Sequence, residues 1–241
     1  MSYTEIIPVK SLQDKVMHFW HLDLPPKGTT HPCEVLPDGS IDLVFEFSMK
    51  ENSSYLFGTS TKVYNFKTKM DSGYLGIRFH PGVIPLLEDY SPSDIIDSHL
   101  KLPLCNKSLL HISKNVTDLP FIELKYCLEN IVNNLEFKPK TTLIQNLSNF
   151  SAETFLQEGV LKLLNSLGLS RRQLERNFKK DFGVSIYKFQ RIIRFQYAIN
   201  LLKDSNLSIT DIALASGYFD HSHMVNEFKK ISSHTPKIFS S

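Results

Sequence analysis

The chain has 241 residues, 41% hydrophobic and 22% charged, which is enough for one large or two small domains with buried cores. Its formal net charge is only +2, but residues 151–241 contain 13 Lys and Arg against eight Asp and Glu, whereas residues 1–150 contain 14 against 17. The cysteines lack the spacing of a metal knuckle or disulfide framework, no leader segment is visible, and no apolar run reaches membrane-spanning length, so we expect a cytoplasmic protein without a membrane partner.

The first 115 residues have the patterns of β-strands. Residues 41–47 alternate apolar and polar side chains, which is typical of a half-buried strand. The preceding turn, 36–40, contains Pro, Asp and Gly, each of which favours a turn for its own stereochemical reason. A second alternating run, 75–79, is stopped by His80-Pro81-Gly82, and shorter strands are predicted at 55–57 and 63–66.

The domain organisation follows from what comes next. A helix is predicted from Phe121, because Leu124, Leu128, Ile131 and Leu135 recur on one helical face. Residues 136–158 show no clear helical pattern. We therefore predict a β-rich sensing or dimerisation domain at 1–135, a segment at 136–155 that is either a linker or a helix, and a helical DNA-binding domain at 156–241.

Several polar or aromatic residues of the first half are candidates for ligand binding. Arg78 could hold an anionic effector, although a paired surface arginine is the commoner case. Trp20 could line a pocket, although a lone tryptophan more often belongs to a core. Four residues could bind a metal: His18, His21, His31 and Cys33. Their spacing matches no known site, so we predict no metal and no cofactor.

Two segments of the second half, 170–180 and 220–230, repeat one pattern. Each begins with a helix N-cap residue and continues with apolar residues four and eight positions later. Each ends in Lys-Lys, which suits a helix C-terminus. The remaining residues are types that hydrogen-bond phosphates and base edges. We predict DNA binding by Ser170, Arg171, Arg172, Gln173, Arg176, Lys179 and Lys180 in the first segment, and by His221, Ser222, Asn226, Lys229 and Lys230 in the second.

A short apolar helix and a glycine, Gly168 or Gly217, precede each segment, which is the helix-turn-helix pattern. Between the two units, residues 185–204 predict one helix of about 18 residues and about 27 Å. That length could separate two recognition helices by roughly one turn of B-DNA.

These motifs resemble the DNA-binding domain of the AraC family of bacterial transcription regulators. The resemblance rests on Leu174-x-Arg176-x-Phe178-Lys179 and the following Phe182-Gly183-Val184-Ser185. In the second unit it rests on Ile209-x-x-Ile212-Ala213, Gly217-Tyr218-x-Asp220, Phe228-Lys229 and Thr235-Pro236. Ser233 and His234 stand where the family usually has a glycine before Thr-Pro. In the first half, 18–20, 35–45 and 76–82 resemble the N-terminal module of one branch of that family.

The resemblance implies an α+β protein. Its N-terminal domain is β-rich and barrel-like with helices, and its C-terminal domain is all-α, with two helix-turn-helix units joined by a long helix. It implies a sequence-specific regulator that reads two adjacent major-groove segments of double-stranded promoter DNA. RNA polymerase, a second copy of the chain and an unidentified small-molecule effector are the further partners it suggests.

The recognition helices carry different expectations. We expect Arg172 and Arg176 to contact guanine edges, and Ser170 or Arg171 to contact phosphate. The second helix has no outward arginine, and its Asn226 could read adenine more weakly.

Two other classes of function are considered. An enzyme is not expected, because no nucleophile motif, phosphate loop or carboxylate pair occurs. An interaction protein without DNA binding would not need the three arginines of the first repeat.

Overall fold

The structure is a computed structural model that describes residues 3–22, 28–48, 52–103, 121–204 and 206–240. Cys105 and the end of the predicted β-rich segment lie outside these ranges. The strands are β1 (Tyr3–Ile6), β2 (Val16–Leu22), β3 (Pro32–Val35), β4 (Ile41–Ser48), β5 (Ser53–Phe57), β6 (Tyr64–Lys67), β7 (Ser72–Phe79) and β8 (His99–Leu102).

The N-terminal strands form one antiparallel sheet of six strands, in the order β1-β2-β7-β4-β5-β8. β3 and β6 form a separate two-stranded ribbon. Among the described residues β1 and β8 each pair on one side only, so the sheet is open and the expected barrel-like closure is not formed. The predicted α+β class is confirmed, with strands followed by helices.

The two predicted turns of this domain are present. Gly39 in the turn before β4 has φ +85°, and Gly82, just after β7, has φ +80°. Both values lie in the left-handed region that glycine adopts without a steric cost. The turn chemistry read from the sequence therefore sets both strand ends.

One face of the sheet packs on the first helix, α1 (Phe121–Asn133). Leu43 and Phe45 of β4 lie in this core with Leu124 and Leu128 of the helix, all buried. The face predicted for this helix is confirmed, except that the helix ends before Leu135, which packs against the core from beyond it.

The opposite face of the sheet is also covered, which corrects the prediction of a half-buried strand at 41–47. Val44 and Glu46 point to that face, yet their exposed fractions are only 7% and 3%. The β3–β6 ribbon lies over it, with Phe66 packed beside Tyr74. Alternation of apolar and polar residues within one strand shows that the two faces of the sheet differ. It cannot show that a separate ribbon, β3–β6, covers the more polar face.

The C-terminal helices are α2 (Thr142–Leu147), α3 (Val160–Leu167), α4 (Arg171–Phe182), α5 (Ile186–Asp204), α6 (Ile209–Ala215) and α7 (His221–Ser232). One helical turn, Ala152–Thr154, and a π-helical segment, Phe155–Gly159, lead directly into α3. Among these described helices, none is both long and apolar enough to cross a bilayer.

Residues 136–158, which show no clear helical pattern in the sequence, contain helical segments in the structure. Thr141 and Ser151 cap helical segments there, each accepting a hydrogen bond from a backbone N–H three residues on. α2 has six residues, under two turns, which is too short for an apolar period to be visible. Its Leu143 and Ile144 are buried in the core of the first helix-turn-helix unit.

Candidate nucleic-acid interface

The first recognition helix, α4, begins with a capping box. Ser170 Oγ accepts from the Gln173 N–H at 3.3 Å, and Gln173 Oε1 accepts from the Ser170 N–H at 2.9 Å. The pair satisfies two backbone donors that the helix start would otherwise leave free. Ser170 and Gln173 thus fix the helix start, and the Gln173 amide nitrogen is the remaining group of that side chain for an outside partner.

Three arginines follow on the exposed side of α4: Arg171, Arg172 and Arg176. Across the described part of the chain, none of the three has a salt bridge to an acidic residue. Guanidinium groups bind phosphate and the edge of guanine in bidentate fashion. The helix therefore presents unpaired positive charge in the form that DNA contacts need.

The buried side of α4 fixes the direction of this face. Leu174 and Phe178 have exposed fractions of 1% and 0%. Phe178 stacks on Phe182 at 4.3 Å between ring centroids, and Phe189 of α5 contacts both rings. A helix packed on aromatic rings along its length has little freedom to rotate, because interiors are close-packed.

The second recognition helix, α7, is held by the same plan. The Asp220 carboxylate accepts from the His223 N–H at 2.7 Å. Met224 and Phe228 are fully buried, and Phe228 lies 4.7 Å from the ring of Phe195 in α5. His223 is partly buried and its Nδ1 accepts from the Phe219 N–H at 3.1 Å, so it supports the turn.

The two helices share one register from their caps. Both have 12 residues, and Arg176 and Asn226 each stand six positions after the cap residue. All twelve residues predicted to bind DNA are exposed: Ser170, Arg171, Arg172, Gln173, Arg176, Lys179, Lys180, His221, Ser222, Asn226, Lys229 and Lys230.

The charges of α7 are partly paired within the protein, unlike those of α4. Glu227 accepts from Arg191 Nε at 2.7 Å and from Lys230 Nζ at 3.1 Å. Burial opposes ionisation of Glu227, but the hydrogen bonds from Arg191 and Lys230 prevail and lower its pKa below 4.5. The second unit consequently offers less free positive charge than the first.

The ends of the two helices also differ. α4 ends at Gly183 with φ 76°, and α7 ends at Ser233 with φ 63°. The left-handed conformation is the usual helix ending, and only glycine adopts it without a steric cost. The serine in place of the family's glycine therefore keeps the turn and carries backbone strain.

The connecting helix α5 has 19 residues, which gives a length of about 28 Å. Its buried residues lie on more than one side, because it packs on both helix-turn-helix cores and on the N-terminal domain. Gln196 Nε2 donates to the Pro37 carbonyl at 2.7 Å. A Cβ on Gly39 would lie 2.6 Å from the Phe189 ring, which shows how closely the turn before β4 approaches α5.

The N-terminal ribbon contacts the second unit directly. The Val63 N–H donates to the Ile231 carbonyl at 2.6 Å, and Glu34 lies 2.8 Å from His234 Nε2. We call these two contacts the ribbon joint. Because it ends at the last turn of α7, the second recognition helix is tied to the N-terminal domain.

Sequence reasoning missed one prominent residue of this surface. Phe219 directly precedes the Asp220 cap and its exposed fraction is 85%. The residue at the same place in the first unit, Leu169, is partly buried against the core. The sequence did contain a signal for Phe219, since an aromatic residue directly before the cap of a recognition helix lies next to the predicted DNA-binding surface.

Comparison with known proteins agrees with this geometry. Residues 163–241 match the family model described as "Helix-turn-helix domain", and residues 4–101 match "Domain of unknown function (DUF6597)". The chain is 41% identical over 69 residues to the HTH-type transcriptional regulator GlxA of Rhizobium meliloti (strain 1021), covering 29% of this chain and 21% of that protein. It is 33% identical over 76 residues to the Xylose operon regulatory protein of Escherichia coli (strain K12), covering 32% and 19%.

Among solved structures, ToxT from Vibrio cholerae O395 aligns with a TM-score of 0.49 at 13% identity, covering 99% of this chain and 98% of that one. The chain matches about a fifth of the length of the two curated relatives.

The C-terminal domain is thus a helix-turn-helix domain, the class that its two capped recognition helices define. Within that class the helical domain is of the AraC type, and residues 4–101 match the domain of unknown function DUF6597. The resemblance carried by the two repeated segments is confirmed.

Proposed function

We propose that this protein is a sequence-specific transcription regulator that reads two adjacent major-groove segments of promoter DNA with α4 and α7. The observation that carries the proposal is the shared register of two rigid recognition helices, with every outward polar position exposed. The excess of basic residues in the same domain supports it, because phosphate contacts supply much of the affinity for DNA.

Each recognition helix has its own proposed role. Arg172 and Arg176 contact guanine edges and Arg171 contacts phosphate, while Asn226 reads adenine in the second segment. Lys179, Lys180 and Lys229 add phosphate contacts. Phe219 is placed beside the second helix, where an aromatic ring can contact a thymine methyl group.

The test is selection of bound sequences from random duplex DNA by the full chain, followed by footprinting on the enriched sequence. Two protected segments about one helical turn apart are expected. Arg176→Ala should weaken binding, whereas Lys10→Ala, which removes an exposed lysine of the N-terminal domain, should leave it unchanged. Failure to enrich any sequence would contradict the proposal and favour an interaction protein without DNA binding.

The N-terminal domain is proposed to control DNA binding, through an effector or through pairing of two chains. The bond from Gln196 to Pro37 and the ribbon joint support this, because they link both domains through the elements that set the recognition helices. Gln196→Ala in the full chain should change DNA affinity by about fivefold or more, the range of typical couplings between sites. Asn200→Ala, an exposed change on the same helix, is the control.

Two measurements bear on this second proposal. The mass of the full chain in solution at micromolar concentration gives its oligomeric state. Equal DNA affinity of both variants and the unaltered protein would contradict control through this contact. A cytoplasmic location and RNA polymerase as partner belong to the same proposed function.

A further inference from the structure

A cavity of about 240 Å³ lies in the N-terminal domain between the six-stranded sheet and the β3–β6 ribbon. Trp20, Val44 and Arg78 of the sheet line one side, and Tyr64 and Phe66 of the ribbon line the other. Drug-sized ligands occupy roughly 300–1,000 Å³, so this cavity fits a smaller molecule.

Aromatic rings form a large part of the cavity wall. Phe57 of the sheet lies 5.4 Å from Tyr64 of the ribbon and 4.7 Å from His99 between ring centroids. The Trp20 indole lies against Gly76 of the sheet, where a Cβ would come within 1.9 Å of the ring. Ring faces carry partial negative charge, and a cation above them is attracted.

Three carboxylates line the cavity together with three cationic side chains: Asp38, Asp42 and Glu46, and Lys67, Lys69 and Arg78. Arg78 is already fully engaged, because its Nε donates to both Asp42 oxygens at 3.0 and 3.1 Å and its NH1 lies 2.9 Å from Asp38. Two carboxylates thus surround one guanidinium, so the charge next to Arg78 is negative, while Lys67 is exposed to solvent. Arg78 is therefore paired within the protein, the commoner of the two cases expected for it.

A third carboxylate, Glu46, is more deeply buried. Its side chain is 4% exposed, and its partner at 2.8 Å is Lys69, whose side chain is 63% exposed. The Tyr55 hydroxyl also donates to Glu46, at 3.3 Å. Since the Lys69 side chain is largely in solvent, another cation that reaches Glu46 can replace it and keep the buried carboxylate paired.

We propose that this cavity binds a small organic cation, an ammonium with an apolar body, between the aromatic rings and the carboxylates of Glu46 and Asp42. The aromatic faces would hold the apolar substituents and the positive charge together, as aromatic cages do for ammonium ions. Glu46 would form an ion pair with the ammonium in place of its present ion pair with Lys69. The small volume excludes long-chain molecules.

The cavity is joined to the DNA-binding domain on two sides, so the inference deepens the proposed control of DNA binding and rests on it. Asp38, held by Arg78, lies in the turn whose Pro37 carbonyl accepts from Gln196. The ribbon that covers the cavity carries Glu34 of the ribbon joint. A ligand that moves the ribbon or this turn would therefore change the contacts that these elements make with α5 and α7.

The binding test uses the fluorescence of Trp20, the single tryptophan of the chain, which lines the cavity. Three probes of one shape and different charge are titrated into the full-length protein: choline, 3,3-dimethylbutan-1-ol and 3,3-dimethylbutanoate. Phenylethylammonium is added as a cation with an aromatic body. We expect the cations to shift the emission saturably and to bind about tenfold tighter than the alcohol, with no binding of the anion.

Matched variants assign the effect to the cavity. Glu46→Gln keeps the shape and removes the charge, and it should weaken choline binding about tenfold, whereas the exposed Glu88→Gln should leave it unchanged. If Glu46→Gln lowers the melting temperature too far, Phe57→Leu serves instead, by removing the central ring face. Equal binding of the alcohol and choline, tightest binding of the anion, or no response to either cation would overturn the proposal.

A separate measurement distinguishes this inference from the proposed function. DNA affinity of the unliganded protein tests the regulator, while probe binding without DNA tests the cavity. A protein that binds DNA but none of the cations overturns the cavity proposal alone. A cation that binds without changing DNA affinity overturns its link to control.

Discussion

The two helix-turn-helix units of this protein share one backbone plan and present different surfaces. Both recognition helices start at a capped polar residue and bury apolar side chains four and eight positions later. The first exposes three unpaired arginines, whereas the second exposes none, and part of its charge is paired through Glu227. The second is also held by the ribbon joint. The repeated core fixes where two helices lie, and the outward residues decide which unit supplies affinity and which is open to control.

Substitutions at the sixth position after each cap, Arg176 and Asn226, test the difference between the two units most directly. Arg176→Ala should cost about 1–3 kcal/mol of binding free energy at the selected DNA site and relax specificity at one base pair. Asn226→Ala, at the matching position of the second helix, should cost less, because a shorter neutral side chain makes fewer contacts. Quantitative gel shifts at fixed salt on the selected site and its single-base variants measure both.

The pattern of losses across sequences decides the role of Arg176. Loss at the cognate base alone marks a base contact. Uniform loss on all sequences would show that Arg176 contacts phosphate only. A larger effect of Asn226→Ala than of Arg176→Ala would reverse the assignment of the two units.

The helix ends give the next largest effect. Gly183→Ala should destabilise the protein by roughly 1–2 kcal/mol from the left-handed backbone alone, and its Cβ would also lie 2.6 Å from the Pro92 carbonyl oxygen. Ser233→Gly should stabilise it by less than about 1 kcal/mol, since the relief of strain is partly offset by the greater freedom of glycine in the unfolded chain. Urea denaturation measures the change in the free energy of unfolding for each variant. A loss of stability in Ser233→Gly would show that the serine side chain has a role of its own.

The smallest effect concerns the acid pairing of the second unit. Since the pKa of Glu227 is lowered in the folded protein, its ion pairs stabilise the fold above pH 4.5 and are lost as the pH falls through the lowered value. Its partners Arg191 and Lys230 are 44% and 67% exposed, so solvent screens both ion pairs and the stabilisation is about 0.2–1 kcal/mol at neutral pH.

Melting temperatures of Glu227→Gln and the unaltered protein, measured from pH 7 to pH 3, test this prediction. The unaltered protein should be more stable at neutral pH, and the difference should vanish in acid. The control is Glu153→Gln, an exposed change outside these ion pairs. A difference that stays constant across the range would rule out ionisation of Glu227 as its cause.

Local features of the site could be predicted from the sequence. The caps at Ser170 and Asp220 and the apolar residues that follow them act within two helical turns, so their spacing is visible in the chain. The six-residue α2 was missed because it is held by the core of the first unit through Leu143 and Ile144. Its own pattern is too short to show.

The cavity shows the other limit of sequence reasoning. Trp20 is predicted from the sequence as a candidate for a pocket, but the position of its side chain depends on residues distant in the chain. Its ring lies against Gly76, and its indole N–H donates to the Asp42 carboxylate at 2.9 Å. The β3–β6 ribbon, which is separate from the six-stranded sheet, covers the cavity. These partners come from separate strands and depend on the strand order β2-β7-β4. The alternating pattern of each strand carries no record of that order.

The ribbon joint has a consequence for how the chain folds. Glu34 and His234 are separated by 200 positions in sequence, so their contact closes a loop that spans most of the molecule. Forming such a contact early carries a large entropic cost, and local helices and strands form first. On the ribosome, both recognition helices are synthesised before His234 emerges. A chain truncated after Ser233 would lose the Glu34–His234 contact between the ribbon and the last turn, and with it Phe239, which packs on Phe195 and Phe228 under the second recognition helix.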